Sequence, residues 1–269
     1  ENNARVTLDN KEKDKSEILL ELKDVLKMDR LPRKIETYDI SNIAGEHMVA
    51  GMCVMQDGVI KKNLSRRLKI QTVYGQDHPK CMEEVITRRL WHSLENPNGG
   101  FGKLPDVIFA DGGITQIRAT KQAIQNVLNE EKEIIMQDSE INEQDKQEKL
   151  EMKKKDLDIK VYGMVKNDKH QTRALMDENR NELKISENLM KLITRFQDTV
   201  HETAITYHRK LRDKEMTKSE LDNIKGIGNA KKQALLKQFG SVEKIKQASI
   251  EELMKVKGIT KELAEKLKQ

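Results

Sequence analysis

Three side chains scattered along the sequence carry the chemistry this chain could perform. Asp39 interrupts the apolar run Ile35-Glu-Thr-Tyr-Asp-Ile-Ser, and Asp111 stands directly after Val107-Ile-Phe-Ala. A carboxylate at a strand centre is costly to desolvate, so its presence implies that it points into a site. Adjacent strand ends of an α/β sheet would bring two such residues together. Paired carboxylates suit Mg²⁺ or Mn²⁺, hard cations that prefer oxygen ligands, activate water and stabilise a leaving oxygen in phosphodiester hydrolysis. His201, on a late helical stretch, could complete the cluster as a metal ligand or general base. Each residue alone also admits an ordinary role: a turn or salt bridge for Asp39, an N-cap for Asp111 and a helix surface for His201. Spacing leaves both readings open.

A second chemistry is written twice near the end of the chain. Leu221-Asp-Asn-Ile-Lys-Gly-Ile-Gly and Leu253-Met-Lys-Val-Lys-Gly-Ile-Thr are copies of one pattern, and an amphipathic stretch follows each (Ala230 to Phe239; Glu262 to Leu267). This is the helix-hairpin-helix pattern. Gly226, Gly228 and Gly258 permit positive φ and leave the backbone bare, so amides at the following helix start could approach a phosphate. Lys225, Lys231, Lys232, Lys257 and Lys261 surround the turns with positive charge, and Thr260 replaces the second glycine in the second copy. Such a pair would grip a duplex through phosphates without reading bases. The alternative is a small bundle whose glycines only cap helices. Ile227 and Ile259 are expected to be core pegs.

The elements that must position these groups follow from periodicity. Ile18, Leu19, Leu22, Val25 and Leu26 form one stripe, a helix that Leu31-Pro32 ends. Ile35 to Ile40, Met48 to Gln56 and a strand from Val59 after Asp57-Gly58 read as a meander. Helices are expected over Asp77 to Leu94 and Ile114 to Leu128, buried strands at Val107 to Ala110 and Ile159 to Val165, and a long helix from Ser186 to Lys210. A strand, helix, strand order implies a parallel pair with a right-handed crossover, hence an α/β class. We read a connecting helix over 1–30, a catalytic domain over 31–213 with a charged insertion at 129–158, a linker at 214–220 and the repeat domain at 221–269.

Composition narrows the function classes. Among 269 residues, 35% are charged and 36% hydrophobic, and no uncharged apolar run is long enough to span a membrane. Two cysteines are too few for a disulfide framework or a cysteine-based zinc site and fit a reduced cytoplasmic compartment. The net charge of +5 is uneven: 16 Lys and Arg against 10 Asp and Glu follow from His201 onward, and 6 against 11 lie between Asn129 and Asp158. The repeat thus reads as the polyanion-facing part, with Lys169, Arg173 and Arg209 as a basic rim near the carboxylates. Aromatic residues make up 3%, too few to bind single strands by stacking. The opening Glu-Asn-Asn-Ala-Arg lacks an initiator Met, so a longer parent protein is expected.

The stretches Ile35-Glu-Thr-Tyr-Asp39-Ile-Ser-Asn, Pro105-Asp-Val-Ile-Phe-Ala-Asp111-Gly-Gly, Asp198-Thr-Val-His201-Glu-Thr-Ala-Ile-Thr-Tyr-His208-Arg-Lys and the paired hairpins together resemble the C-terminal half of UvrC, the nuclease subunit of bacterial nucleotide excision repair. The resemblance covers essentially the whole chain in order. It implies a mixed-sheet RNase H-like endonuclease domain followed by a small all-α tandem helix-hairpin-helix domain. It also implies a triad of Asp39, Asp111 and His201 that cuts damaged double-stranded DNA 5′ to a lesion on a UvrB–DNA complex. A further family aspartate, in a Gly-Asp-Asp type segment, corresponds to Asp77, beside His78. The family's His-Arg-Phe-Ala is His201-Glu-Thr-Ala here. Neither the GIY-YIG nuclease of the family, which makes the 3′ cut, nor a UvrB-docking motif is found, so at most one cut is expected of this chain. The competing reading is a DNA-binding and assembly module with an idle nuclease site. A structure-selective resolvase is a weaker third.

Overall fold

A computed structural model describes the chain except residues 1, 44–46, 74, 169–170, 223, 225, 241 and 269, and except the side chains of 1–13, 43, 47, 205–220, 222, 229 and 243. A helix, α1 (Asn2–Val25), buries Leu19 and Leu22 before the sheet begins. The chain then forms β1 (Lys34–Ile43), paired antiparallel with β2 (His47–Gln56). The expected third strand is interrupted where Lys61, Lys62 and Asn63 follow it: β3 (Val59–Ile60) gives way to a 3₁₀ turn at Lys62–Leu64, then to β4 (Arg66–Lys69). Both short strands pair with β2. Next come α2 (His78–Glu95) and β5 (Val107–Asp111), the latter parallel to β1.

The helix expected to stop at Leu128 continues as α3 (Ile114–Gln137) and turns into α4 (Glu143–Asp156), so the charged segment forms a helical hairpin. Asn142 caps α4 through the Asp145 amide. The chain then enters β6 (Lys160–Lys166), parallel to β5, as the strand-helix-strand order anticipates. Two further strands, β7 (Thr172–Met176) and β8 (Glu182–Leu183), continue the sheet antiparallel; their short, half-exposed sequences carry little periodic signal. Among the described residues the sheet has eight strands in the order β3-β2-β1-β5-β6-β7-β8, with β4 also on β2. The mixed sheet with helices is the expected α/β class.

Alternation along the strands makes two cores. Tyr38, Ile40, Ile108 and Ala110 face α2 and α3, whereas Ile35, Val107, Phe109 and Met164 pack with α1 and the first half of α5 (Glu187–Asp222). Leu189, Leu192, Ile193, Phe196, Val200 and Ala204 are buried along that half, each large side chain contributing about 1.5–3 kcal/mol. Tyr207, which helical spacing from Val200 and Ala204 sets on the same stripe, lies outside the described side chains. The α2 side also holds a charged strut: Glu36 and Arg89, 0% and 1% exposed, meet at 2.6 Å. The Tyr38 hydroxyl donates to Glu36, and Arg89 donates to the Phe101 and Lys103 carbonyls, tying the loop around residue 101 to β1 and α2.

The chain divides into two compact units, Glu1–Ile205 and Thr206–Gln269. Helix α5 runs without a break through 214–220, where a linker was expected. In the second unit, α6 (Asn229–Phe239), α7 (Val242–Gln247), α8 (Ile250–Met254) and α9 (Lys261–Leu267) enclose a separate core that contains Ile227, Leu235, Leu253, Ile259 and Leu263.

Candidate nuclease site and paired hairpins

The parallel ladder of β1 and β5 ends at the pair Tyr38 and Ala110. The next residue on each strand is an aspartate, and with a period of two both carboxylates face the α5 side. Strand register therefore sets Asp39 beside Asp111 where the parallel ladder stops, at the carboxyl end of β5 and midway along β1. The third group comes from α5. His201 Nδ1 lies 2.9 Å from Asp39 Oδ2. One ligand atom each from Asp39, Asp111 and His201 lies within 4.8 Å of the other two, the one such group of three donors among the described residues.

Close backbone packing brings His201 there. Gly51 on β2 pairs with Asp39, and a Cβ at Gly51 would lie 2.7 Å from the Val200 carbonyl and 3.2 Å from Ala204 Cβ. The missing side chain lets the backbone of α5 pack directly against β2. Arg67, opposite Gly51 on β4, donates to the Thr203 carbonyl at 3.2 Å and fastens the same turn.

The site is charged and mostly enclosed. The Asp39 and Asp111 side chains are 11% and 4% exposed, while that of His201 is 52% exposed. Burial pushes the Asp111 carboxyl above the usual carboxylate range, and the charge of Asp39 adds to this; Lys166 and Gln197 pull it back. Lys166 Nζ donates to Asp111 Oδ2 at 2.9 Å, Gln197 donates to Asp111 Oδ1, and the Ser41 hydroxyl donates to Asp39 at 3.2 Å. Two carboxylates in mutual repulsion, with an imidazole alongside, form an oxygen-rich donor set that a hard divalent cation would relieve. The residues present thus fit Mg²⁺ or Mn²⁺.

Two other expected residues have partners of their own. Asp77 is not among the three converging residues. It is the N-cap of α2, accepting from the Lys80 amide at 3.0 Å and paired with the Lys80 ammonium at 3.3 Å. An aspartate directly ahead of a helix start, with Pro79 in the first turn, is drawn into capping. Arg173 of the basic rim is paired with Glu182. Lys169 and the side chain of Arg209 lie outside the described residues. Sequence reading missed Gln197 and Gly51; a polar residue inside the apolar stripe of α5 was the available signal for the first.

In the second unit, Gly226 and Gly258 hold φ at +105° and +88°, as their turns demand. Gly228 departs from expectation. At φ −85° and ψ 173° it is the N-cap of α6, the same conformation as Thr260 ahead of α9. Its glycine is therefore not needed for a left-handed turn; it leaves the first amides of α6 without a side-chain cap, whereas Thr260 accepts from the Leu263 amide. Lys232 is 8% exposed and so buried, where a surface position was expected. Lys231 Nζ donates to the Gly226 carbonyl at 3.0 Å, and its stem lies over Gly258. Lys257 and Lys261 are exposed, and Lys225 lies outside the described residues. Ile227 and Ile259 are core pegs, each 6% exposed.

Known families match both units. The UvrC RNAse H endonuclease domain matches residues 23–205, and the SAM-like helix-hairpin-helix tandem matches residues 218–269. The chain belongs to the UvrC family. Similar relatives are the UvrABC system protein C of Alkaliphilus oremlandii, 38% identical over 95% of this chain and 39% of the relative, and that of Clostridium acetobutylicum, 39% identical over 93% and 38%. That of Clostridioides difficile is 40% identical over 92% of this chain and 35% of its own length. The chain thus spans under half of the UvrC relatives it matches. Its mixed sheet is the RNase H-like domain and its terminal helices the paired hairpins. Among the described residues no helix is long and apolar enough to cross a membrane.

Proposed function

We propose that this chain is the nuclease and duplex-gripping portion of a UvrC-type excision nuclease, a divalent-metal-dependent endodeoxyribonuclease that cuts damaged double-stranded DNA 5′ to the lesion. The observation that carries the reading is the convergence of Asp39, Asp111 and His201 within 4.8 Å. Asp39 and Asp111 would hold Mg²⁺ or Mn²⁺, and the metal would supply activation of water and stabilisation of the leaving oxygen. With Nδ1–H donated to Asp39, His201 carries its lone pair on Nε2, on a ring open to solvent, where it can take the proton of an attacking water. Asp39 orients that ring, as a carboxylate does for a general base.

The catalytic portion would span 31–213 and the DNA grip 221–269. Exposed Lys257 and Lys261, with the uncapped amides after Gly228, support phosphate contact by the hairpins. Membership in a UvrABC system makes a UvrB–DNA complex in the cytoplasm the natural substrate. The test is nicking of a lesion-bearing or bubble duplex in Mg²⁺ or Mn²⁺. Asp39→Ala should abolish nicking and leave duplex binding intact, and chelation should do the same to the unaltered chain. Nicking that survives Asp39→Ala refutes the assignment; a chain that binds but never nicks is the idle-site module.

A further inference from the structure

Gln197 is 2% exposed and sits in the apolar stripe of α5, between Ile193 and Val200. A buried amide is costly unless its polar ends are bonded, and both ends of this one are. Nε2 donates to Asp111 Oδ1 and, at 3.3 Å, to the Met164 carbonyl, while Oε1 accepts from the Thr172 hydroxyl. The Met164 carbonyl can only accept, so the nitrogen end must face it, and the same nitrogen faces Asp111. A flipped amide would set its oxygen against a carboxylate and a carbonyl.

We infer that Gln197, locked by Thr172, is a positioning residue that holds the Asp111 carboxylate in its metal-binding orientation. The inference rests on the proposed role of Asp111. Lys166, the other partner of Asp111, differs in kind: its side chain is 32% exposed and its charge competes with a cation. Gln197 is buried, neutral and anchored in three directions, so it orients the carboxylate without opposing the ion. Partners behind a ligating carboxylate act in this way on metal affinity.

The test is Mn²⁺ titrated into the whole chain without DNA, followed by the paramagnetic signal of the free ion. Gln197→Met keeps length and volume but removes the donor, and it should weaken Mn²⁺ binding roughly 10–100-fold. Thr172→Val removes only the lock; it should weaken binding less, and the double variant should be no weaker than Gln197→Met alone, because the two act through one bond. Asp111→Asn should abolish binding. Affinity within about twofold of the unaltered chain in Gln197→Met, with Asp111→Asn inactive in binding, overturns this inference and spares the functional reading. Fully additive effects of the two changes overturn it as well. If Gln197→Met lowers the melting temperature too far to titrate, Thr172→Val decides, and unchanged affinity there counts against the lock. No Mn²⁺ binding by the unaltered chain sinks the metal reading and this inference with it.

Discussion

Gly163→Ala is a single-methyl perturbation that should separate catalysis from folding and binding. Gly163 lies on β6 opposite Ala110, one residue before the position opposite Asp111. A Cβ there would fall 2.4 Å from the Gly112 carbonyl oxygen, where a carbon and a carbonyl oxygen settle at about 3.3–3.6 Å, a shortfall of roughly 0.9 Å. Ile117 Cδ1, at 3.1 Å, closes the other side. The obstructing atom is backbone and follows Asp111 directly, so relief has to come from moving the Asp111-Gly112 turn and, with it, the carboxylate. A displacement near 1 Å at a reacting group costs on the order of 100-fold in rate. The fold should survive, because overpacking costs about 1–3 kcal/mol, worth roughly 2–4 °C of Tm per kcal/mol at this size. The assay is single-turnover nicking in Mn²⁺ beside duplex binding and a thermal melt, with Gly100→Ala, which meets nothing within 4 Å, as the control. We expect nicking to fall about 100-fold with binding unchanged. Nicking within about threefold of the unaltered chain, or a loss that tracks the unfolded fraction, refutes the reasoning.

Other outcomes follow from the same geometry. Arg89→Met removes the 2.6 Å partner of the buried Glu36 carboxylate but leaves it Lys34 at 3.2 Å, so it should destabilise the first unit by about 1.5–3 kcal/mol in chemical denaturation, with a loss under about 0.5 kcal/mol counting against the strut. Burial alone would raise Glu84, but the Thr72 hydroxyl and amide, the Gln71 amide and Arg88 hold it below its ordinary 4.5. A depressed carboxyl contributes stability above its unfolded value, so Glu84→Gln should cost roughly 1 kcal/mol at neutral pH. That difference should shrink as pH falls from 4.5 through the lower folded value, and a gap independent of pH contradicts the assignment. Removing residues 217–269 should greatly weaken duplex affinity in filter binding while the melt of the first unit persists; unchanged affinity would dismiss the hairpins as the grip.

The sequence by itself determined the α/β class, singled out Asp39, Asp111 and His201 as candidates, and displayed the duplicated hairpins with their pegs Ile227 and Ile259. These were legible because they rest on local facts: period, a carboxylate against its apolar surroundings, and a repeat. Tertiary structure decided the rest. It drew Asp77 into capping α2, broke the third strand after Ile60 and carried α5 through the expected linker, since caps, strand pairing and helix continuation compete on energies that composition does not rank. It also decided how the site is held. Gly51 admits α5 to the sheet, Gly163 clears the Gly112 carbonyl and Gln197 reaches Asp111 across 86 residues. Such contacts depend on how far apart two backbones lie, and that distance is set by the packed layers and not by the residues beside each glycine or glutamine in the chain.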